Sequence, residues 1–372
     1  MEERVITLIV TQDCQLACKY CYCVGKNKSG TMDYFTMVKA IDFALNLLLE
    51  EGYKGNVVFD FIGGEPLLEI DSIAMAASYI KDRLLHDSKL SELTFGLRIA
   101  TNGILYNSVK VQKFISEFHN VLNITISIDG NKEKNDFNRI FPNGKGSYDI
   151  IIDNVKLWIK QFPKALTRIT VSSGDLPYIE ESVKFLIGIG LKRFDISVIS
   201  EDVWKENDDT ILECQLIKIA DYLLTYNLED DIYISSFEYN IGHPQIIDEA
   251  AKPCGGMTLA IDCNGTIYNC LRFAKFALKK AKERTLGNIH TGFFANRMRP
   301  LLSMKYDTIY SQRCKECNVA TGCKICPADC YDNSSTESIY ERTYAICKMH
   351  KAKVRAKNYY WNKYKMKHIN KP

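Results

Sequence analysis

Three cysteines near the start of the chain have the spacing of ligands to a single metal centre. Cys14, Cys18 and Cys21 form the pattern C-x3-C-x2-C directly after the first apolar, strand-like run. Thiolates this close together can converge on one four-iron four-sulfur cluster, and three of them leave one iron without a protein ligand. We expect a chelating cosubstrate to bind at that open iron. Cys23 would close it as a fourth ligand, so we interpret Cys23 as structural or as a neighbour of the ligands.

A second chemical signal ends the second strand-like run, in Phe59-Asp-Phe-Ile-Gly63-Gly64-Glu65-Pro66. Paired glycines allow a backbone to approach a ligand closely because no β-carbon stands in the way. Glu65 would place a carboxylate at the strand end, where it could bind an ammonium group. Without the cysteines, the simpler interpretation would be a strand-to-helix turn with Pro66 near the helix start.

The composition is that of an ordinary globular protein. The chain has 372 residues, of which 46% are hydrophobic and 25% charged, and this length allows two or three domains. It contains no long apolar run typical of a membrane span, and strand-like sequence starts at Arg4, so we expect neither a membrane segment nor a secretory signal. Fourteen cysteines in such a chain favour thiolate ligation in the cytoplasm over disulfides. Cys214 lies in a helical run and is most simply a core residue.

Residues 4–235 alternate strand-like runs with amphipathic stretches. Because six βα units in series give a parallel sheet covered by helices, we predict an α/β fold, either an open barrel or a doubly wound sheet. In both cases the chemistry lies at the carboxyl ends of the strands. The predicted strands span 4–11, 56–62, 94–100, 122–128, 168–172 and 193–199, and the predicted helices lie near 34–51, 70–87, 108–118, 147–162, 177–189 and 205–226.

The C-terminal part of the chain has a different composition. After a connector over 236–253, nine cysteines fall between Cys254 and Cys347 in short, turn-rich segments. Small cysteine-dense regions with little core are usually held together by metal. Zinc is the alternative to iron–sulfur here, because Cys314-x2-Cys317 with Cys323-x2-Cys326 also has the spacing of a zinc knuckle.

The cysteine triad and the Gly-Gly-Glu-Pro segment together resemble the radical S-adenosylmethionine (radical SAM) superfamily. Tyr20 within the triad fits the aromatic position of that family's pattern, and Ala100-Thr-Asn102-Gly103 and Ser127-Ile-Asp129-Gly130 resemble its later strand ends. The resemblance implies a partial (β/α)6 parallel barrel over 1–235 and a four-iron cluster held by Cys14, Cys18 and Cys21. It also implies that the residues that bind SAM are Tyr20, Gly63, Gly64, Glu65, Asn102, Ser127 and Arg139.

The roles implied for these residues differ. Gly63, Gly64 and Glu65 would bind the methionine amino end, Ser127 the ribose, and Arg139 the methionine carboxylate through its planar fork. Asn102 is a further candidate for ribose or sulfonium contact, and Asp129 serves either as a turn residue or in the site. The implied chemistry is reductive cleavage of SAM to methionine and a 5′-deoxyadenosyl radical, which removes a hydrogen atom from the substrate.

The C-terminal cysteines resemble the SPASM domain that follows the radical SAM core in many peptide-modifying enzymes. The resemblance implies a small α+β domain over 254–350 with two auxiliary four-iron clusters, three clusters in all. We assign Cys254, Cys263, Cys270 and Cys326 to the nearer cluster, with Cys330 as the alternate to Cys326. The outer cluster is assigned Cys314, Cys317, Cys323 and Cys347.

This resemblance implies a maturase of ribosomally synthesised peptides, and we expect it to form a crosslink, with a cysteine thioether as the leading hypothesis. The alternatives are a sulfatase-type maturase that makes formylglycine, an epimerase or carbon–carbon crosslinking enzyme, and a non-catalytic iron–sulfur or zinc scaffold. Leu271 follows Cys270 where sulfatase maturases typically have an aspartate, which counts against the first alternative. A flavodoxin or ferredoxin would donate the electron, and the sequence does not identify an acid/base residue.

The last 22 residues, 351–372, carry eight Lys or Arg side chains and no acid. We interpret this basic, aromatic tail as a terminal helix whose aromatic rings pack on the domain; an acidic peptide or nucleic acid as its partner has no supporting motif. Strand one starts too early for a preceding leader-binding module. We therefore expect a separate leader-binding protein, the SPASM face or the tail to recognise the peptide.

Overall fold

The computed structural model describes residues 3–27, 30–201, 203–244, 258–323 and 325–369. The chain divides into two compact units. The first comprises Met1–Gln15, Cys21–Thr125 and Lys252–Met304, and the second Leu16–Tyr20, Ile126–Ala251 and Lys305–Pro372. These units divide the chain differently from the domain boundaries predicted at 235 and 254, which stay a prediction.

Eleven strands are found among the described residues: β1 (Arg4–Thr11), β2 (Gly55–Gly63), β3 (Leu93–Thr101), β4 (Leu122–Ile126), β5 (Thr167–Val171), β6 (Arg193–Val198), β7 (Tyr233–Ile234), β8 (Leu259–Ile261), β9 (Thr266–Tyr268), β10 (Gly287–Asn288) and β11 (Gly292–Phe293). The first six match the predicted strands within two residues at each end. The mixed α/β class with parallel sheets is thereby confirmed, whereas closure into a partial barrel stays a prediction.

Twelve helices are found in the same part of the chain: α1 (Tyr34–Glu50), α2 (Ile70–His86), α3 (Val109–Phe118), α4 (Lys132–Asn138), α5 (Tyr148–Gln161), α6 (Ile179–Gly188), α7 (Asp208–Thr225), α8 (Ala295–Leu302), α9 (Tyr306–Ile309), α10 (Gln312–Lys315), α11 (Pro327–Asn333) and α12 (Cys347–Ile369). None of the described helices has the length and apolar content that a membrane crossing requires.

The first unit is built on an eight-stranded sheet in the order β11-β10-β9-β8-β1-β2-β3-β4. Strand β1 lies between β2 and β8 and runs parallel to both. It is buried from Ile6 to Thr11, as expected for a parallel strand covered on both faces. Strands β8, β9, β10 and β11 follow one another as antiparallel neighbours. The C-terminal segment therefore extends the sheet whose strand β1 leads into Cys14.

The second unit contains a parallel three-stranded sheet, β5-β6-β7. Helix α12 packs along α7. Tyr360 of α12 stacks on Phe237 with ring centroids 4.7 Å apart. Arg355 of α12 binds Glu213 at 2.6 Å and also pairs with Asp209. Residues 351–369 of the basic tail thus belong to a helix that starts at Cys347, and this helix packs on acidic side chains of its own unit.

Candidate metal centres

The loop after β1 is fixed around Cys14 by an asparagine. The Cys14 backbone N–H donates to Asn27 Oδ1 at 2.8 Å, and Asn27 Nδ2 donates back to the Cys14 carbonyl at 3.3 Å. Asn27 has a φ of 59°, a left-handed conformation that asparagine tolerates better than most residues. Sequence reasoning missed Asn27; its only signal is the presence of Asn in a turn-rich stretch.

Gly63 and Gly64 leave room for this same loop. A β-carbon on Gly63 would lie 2.0 Å from the Thr11 carbonyl oxygen, and one on Gly64 would lie 2.2 Å from that of Asp13. The Gly64 N–H donates to Thr11 O at 2.9 Å and the Glu65 N–H to Asp13 O at 2.7 Å. The backbone that approaches the two glycines is the chain's own, directly before Cys14, and the predicted contact of Gly63 and Gly64 with SAM stays a prediction.

The Glu65 carboxylate joins the ends of β2 and β3. It is 1% exposed and accepts hydrogen bonds from the Leu67 N–H at 3.1 Å, the Thr101 hydroxyl at 2.6 Å and the Asn102 N–H at 2.7 Å. Burial raises the pKa of Glu65 to about 7, against the lowering effect of these three donors. Oε2 accepts only one of the three bonds, so it keeps acceptor capacity for a further donor such as an ammonium group.

Asn102 brings the end of β3 to the cysteine loop. Its Nδ2 donates to Gln15 Oε1 at 3.0 Å and lies 3.8 Å from the Cys14 sulfur. Its Oδ1 accepts from the Ile104 N–H at 2.9 Å in a local turn. The structure therefore places Asn102 beside a predicted cluster ligand, and its contact with SAM stays a prediction.

Cys21 and Cys23 are neighbours in the first unit. Cys23 is 4% exposed. Its hydrogen bond with Cys21 and, to a smaller extent, its burial raise the pKa of its thiol well above the ordinary value. Tyr22 between them lies under the Arg272 guanidinium, 5.0 Å from the ring centroid. The structural interpretation of Cys23 stays a prediction.

The second unit holds the middle of the triad. The Ala17 N–H donates to Ile140 O at 2.7 Å and the Lys19 N–H to Asn138 O at 3.0 Å, which fixes Cys18 between them. The Tyr20 hydroxyl donates to the Asp129 carboxylate. The two backbone hydrogen bonds lie on either side of Cys18, so the end of α4 and the residues directly after it set the backbone position of Cys18.

Arg139 is held by Asp129 in this unit. Its Nε and Nη2 donate to the two Asp129 oxygens at 3.0 and 3.1 Å, and its Cζ lies 5.5 Å from the Tyr20 ring centroid. Burial has the largest single effect and lowers the pKa of Arg139, but Asp129, Tyr20 and Cys18 together outweigh it and raise the pKa, so the guanidinium stays charged. The Nη1 donors are not used by Asp129. Pairing of Arg139 with the SAM carboxylate stays a prediction, as does the ribose contact of Ser127, which is half-buried just beyond β4.

Four C-terminal cysteines line one cavity in the second unit. The cavity has a volume of about 370 Å³, and Cys314, Cys317, Cys323 and Cys347 are among its lining residues. They are the four residues assigned to the outer cluster from the sequence. A set of four thiols around one cavity fits a four-iron cluster, whose ligands are cysteine thiolates.

The cysteines assigned to the nearer cluster are distributed over both units. Cys263 lies in the β8–β9 turn and Cys270 directly after β9, in the first unit. Cys326 is the residue before α11 in the second unit, and Cys330, within α11, is 2% exposed. Cys254 lies outside the described residues. The choice between Cys326 and Cys330 stays open.

Among the described residues, no three His, Cys, Asp or Glu side chains are arranged to hold a single metal ion. The choice between zinc and iron–sulfur for the C-terminal cysteines stays open. The ligands of a four-iron cluster each bind a different iron, so they need not converge on one point.

Comparison with known proteins finds a family model that matches part of the chain and several relatives. Residues 8–186 match the family model of the radical SAM superfamily. The uncharacterized protein MJ0907 of Methanocaldococcus jannaschii is 35% identical over 198 residues, which are 52% of this chain and 62% of that protein. The serine-type anaerobic sulfatase-maturating enzyme of Bacteroides thetaiotaomicron is 23% identical over 87% of this chain and 82% of its own.

Two solved structures share the fold. Native anSMEcpe with bound AdoMet and Cp18Cys peptide has a TM-score of 0.72 at 18% identity, over 99% of this chain and 100% of that one. Streptococcus suis SuiB bound to precursor peptide SuiA has a TM-score of 0.59 at 16% identity, over 92% of this chain and 76% of that one. The match over residues 8–186 confirms the resemblance to the radical SAM superfamily inferred from the sequence, and the relatives indicate an enzyme. The solved structures, at 18% and 16% identity, show the fold alone. The chain spans 62% of the length of MJ0907, so the activity of the whole protein is a matter of proposal.

Proposed function

We propose that this enzyme is a peptide maturase that cleaves SAM reductively, takes a hydrogen atom from a ribosomally made peptide and forms a cysteine thioether. The observation that carries the proposal is the cavity lined by Cys314, Cys317, Cys323 and Cys347, a site for a cluster in addition to the one expected at the triad. The two solved structures that share the fold over most of this chain are described with bound peptides, which supports a peptide substrate.

The chain's own residues would act as follows. Cys14, Cys18 and Cys21 would hold the first cluster, which supplies one electron for cleavage of SAM to methionine and the 5′-deoxyadenosyl radical. Oε2 of Glu65 would accept a hydrogen bond from the SAM ammonium group. Asp129 would hold the Arg139 guanidinium in place beside the Cys18 segment, where the remaining N–H donors of Arg139 could bind an anionic carboxylate.

Formation of a thioether is a two-electron oxidation of the peptide, so both electrons need an acceptor. One carbon–hydrogen bond and one sulfur–hydrogen bond of the peptide break, and one carbon–sulfur bond forms. One hydrogen atom goes to the 5′-deoxyadenosyl radical, one proton goes to solvent, and one electron remains to be removed. An auxiliary cluster in the cysteine cavity would supply the acceptor for that electron.

Reconstituted protein with SAM, dithionite and the product of a neighbouring small, cysteine-rich open reading frame tests the proposal. We expect 5′-deoxyadenosine and a peptide that has lost two hydrogen atoms and one free thiol. With the peptide deuterated at carbon, deuterium should appear in 5′-deoxyadenosine. Cys18→Ala is the control and should give neither product. Cleavage of SAM without any change in the peptide would contradict the maturase proposal.

Formylglycine formation is the second candidate, because the serine-type sulfatase-maturating enzyme aligns over most of both chains. The same reaction mixture distinguishes the two. Formylglycine carries an aldehyde that reacts with an aminooxy probe, whereas a thioether does not. Labelling of the product by the probe would favour the second candidate over the first.

A further inference from the structure

One arginine faces two of the four cysteines that line the cavity in the second unit. Arg342 donates from Nη1 to Cys314 Sγ at 2.9 Å and from Nη2 to Cys323 Sγ at 3.1 Å. Two nitrogens of one rigid, planar guanidinium therefore address two sulfurs that lie nine residues apart in the sequence. A lysine could not reproduce this arrangement, because its ammonium group is a single point charge.

Aromatic rings and a serine hold this arrangement in place. The Arg342 Cζ lies 5.6 Å from the Tyr310 ring centroid and 5.9 Å from that of Tyr344. The Tyr344 hydroxyl donates to Ser311 Oγ at 2.8 Å, and Ser311 Oγ donates to Cys314 Sγ at 3.2 Å. The guanidinium is thus oriented by cation–π contacts, and the Cys314 sulfur receives two hydrogen bonds from the protein.

The charge of Arg342 bears on the chemistry of a cluster at this place. Four thiolates on a four-iron core give a net negative charge, which grows by one when the cluster is reduced. A fixed cation hydrogen-bonded to two ligand sulfurs stabilises the reduced form more than the oxidised form. Hydrogen bonds to the sulfurs and net charge are the main influences by which a protein sets the reduction potential of such a cluster.

We propose that Arg342 is a positioning residue of the outer auxiliary cluster: its fork fixes the Cys314 and Cys323 sulfurs, and its charge raises the cluster's reduction potential so that it can accept an electron. The inference rests on the proposed binding of a cluster by Cys314, Cys317, Cys323 and Cys347. It adds to that proposal a residue that ligates nothing and acts through the ligands.

The test is a redox titration followed by EPR on anaerobic protein with Cys14, Cys18 and Cys21 replaced by Ala, so that only auxiliary clusters contribute. Cys317→Ala in this background identifies the signal of the outer cluster. We expect Arg342→Gln to lower the midpoint potential of that signal alone. A tenfold smaller ratio of reduced to oxidised cluster at fixed potential corresponds to about 59 mV for a one-electron couple.

Arg342→Lys keeps the charge but not the fork, and we expect a smaller shift than in Arg342→Gln. Arg313→Gln is the matched control: this exposed arginine lies 5.1 Å from the Tyr344 ring centroid on the same cavity and should shift nothing. Loss of the outer signal in Arg342→Gln but not in Arg342→Lys would also support the proposal. The proposal is overturned if the midpoint potentials of both auxiliary signals are unchanged in Arg342→Gln. It is also overturned if Arg313→Gln changes the outer signal as much as Arg342→Gln does.

Failure of the underlying function gives a different result. If the triple Ala background binds no iron and shows no signal, the C-terminal cysteines hold no cluster, and the proposed function fails together with the role of Arg342. If two auxiliary EPR signals are present and Arg342→Gln changes the midpoint potential of neither, the C-terminal cysteines hold clusters and only the role proposed for Arg342 is wrong.

Discussion

Asp129 and Arg139 form an ion pair that is withdrawn from solvent, with side-chain exposures of 0% and 9%. Asp129 Oδ1 also accepts a hydrogen bond from the Thr170 N–H at 3.0 Å, which links the segment that follows β4 to strand β5. Of the two sequence interpretations of Asp129, the geometry favours a place in the site: it orients the arginine predicted to bind SAM and accepts from Tyr20 within the triad.

Asp129→Ala should destabilise the protein by about 3–5 kcal/mol, because it leaves the Arg139 charge buried without its partner. Urea unfolding of anaerobic protein measures the change. Asp71→Ala is the control: Asp71 pairs with Lys110, both are 66% exposed, and its loss should cost less than about 1 kcal/mol. Equal effects of the two substitutions would contradict the role given to the buried pair.

Gly64→Ala should displace the start of the cysteine loop, since its β-carbon would lie 2.2 Å from the Asp13 carbonyl oxygen. We expect less iron at the triad and little 5′-deoxyadenosine, with the auxiliary clusters retained. Gly188→Ala, on a helical glycine with nothing within 4 Å of the added β-carbon, should leave the iron content unchanged. Normal triad iron in Gly64→Ala would show that the loop does not depend on this close approach.

Glu65 should make the free energy of unfolding depend on pH. Its pKa is about 7 in the folded protein against an ordinary value of 4.5, so between these values the folded state keeps a proton that the unfolded state has lost. The stabilisation is fully present below about 4.5 and is lost as the pH rises through about 7. From pH 5 to 7.5 the loss should be about 2 kcal/mol, and it should be absent in Glu65→Gln.

Urea unfolding of the wild type and Glu65→Gln at the two pH values measures this difference, and every other titrating group cancels in the comparison. Parallel pH profiles for the two proteins would show that Glu65 is ionised throughout, as an ordinary exposed carboxylate is.

Tyr360→Ala should destabilise the second unit by about 3 kcal/mol, because Tyr360 is 6% exposed and stacks on Phe237. Tyr359→Phe, on the neighbouring tyrosine whose hydroxyl donates to Asp221 at 2.7 Å, should cost less than about 1 kcal/mol. Thermal unfolding checks both values. A Tyr360→Ala protein as stable as Tyr359→Phe would argue that the tail is not packed and is available for a partner.

The sequence predicted the first six strands and their following helices closely, because each is a local pattern of apolar residues. It did not predict that β8 pairs with β1, since that parallel pairing joins a strand of three residues to one about 250 positions earlier. A strand this short carries no periodic signal, and its place is decided by the sheet edge that it meets.

At the candidate sites the sequence predicted the ligand cysteines but not the residues that hold them in place. The resemblance to the SPASM domain grouped Cys314, Cys317, Cys323 and Cys347, which the structure places around one cavity. The partners of these ligands were not predictable: Arg342, like Asn27 at the triad, acts through hydrogen bonds formed only once the loops have folded. The two glycines were recognised by type, but the atoms that approach them depend on the tertiary structure.

The central claim is that three cysteines hold a cluster with one iron open to SAM. EPR of the reduced protein tests it most directly, recorded with and without SAM on a variant whose Cys263 and Cys317 are replaced by Ala to remove the auxiliary signals. We expect SAM to change the spectrum and 5′-deoxyadenosine to form, and Cys18→Ala to abolish both. A cluster signal that SAM leaves unchanged, without 5′-deoxyadenosine, would contradict the claim.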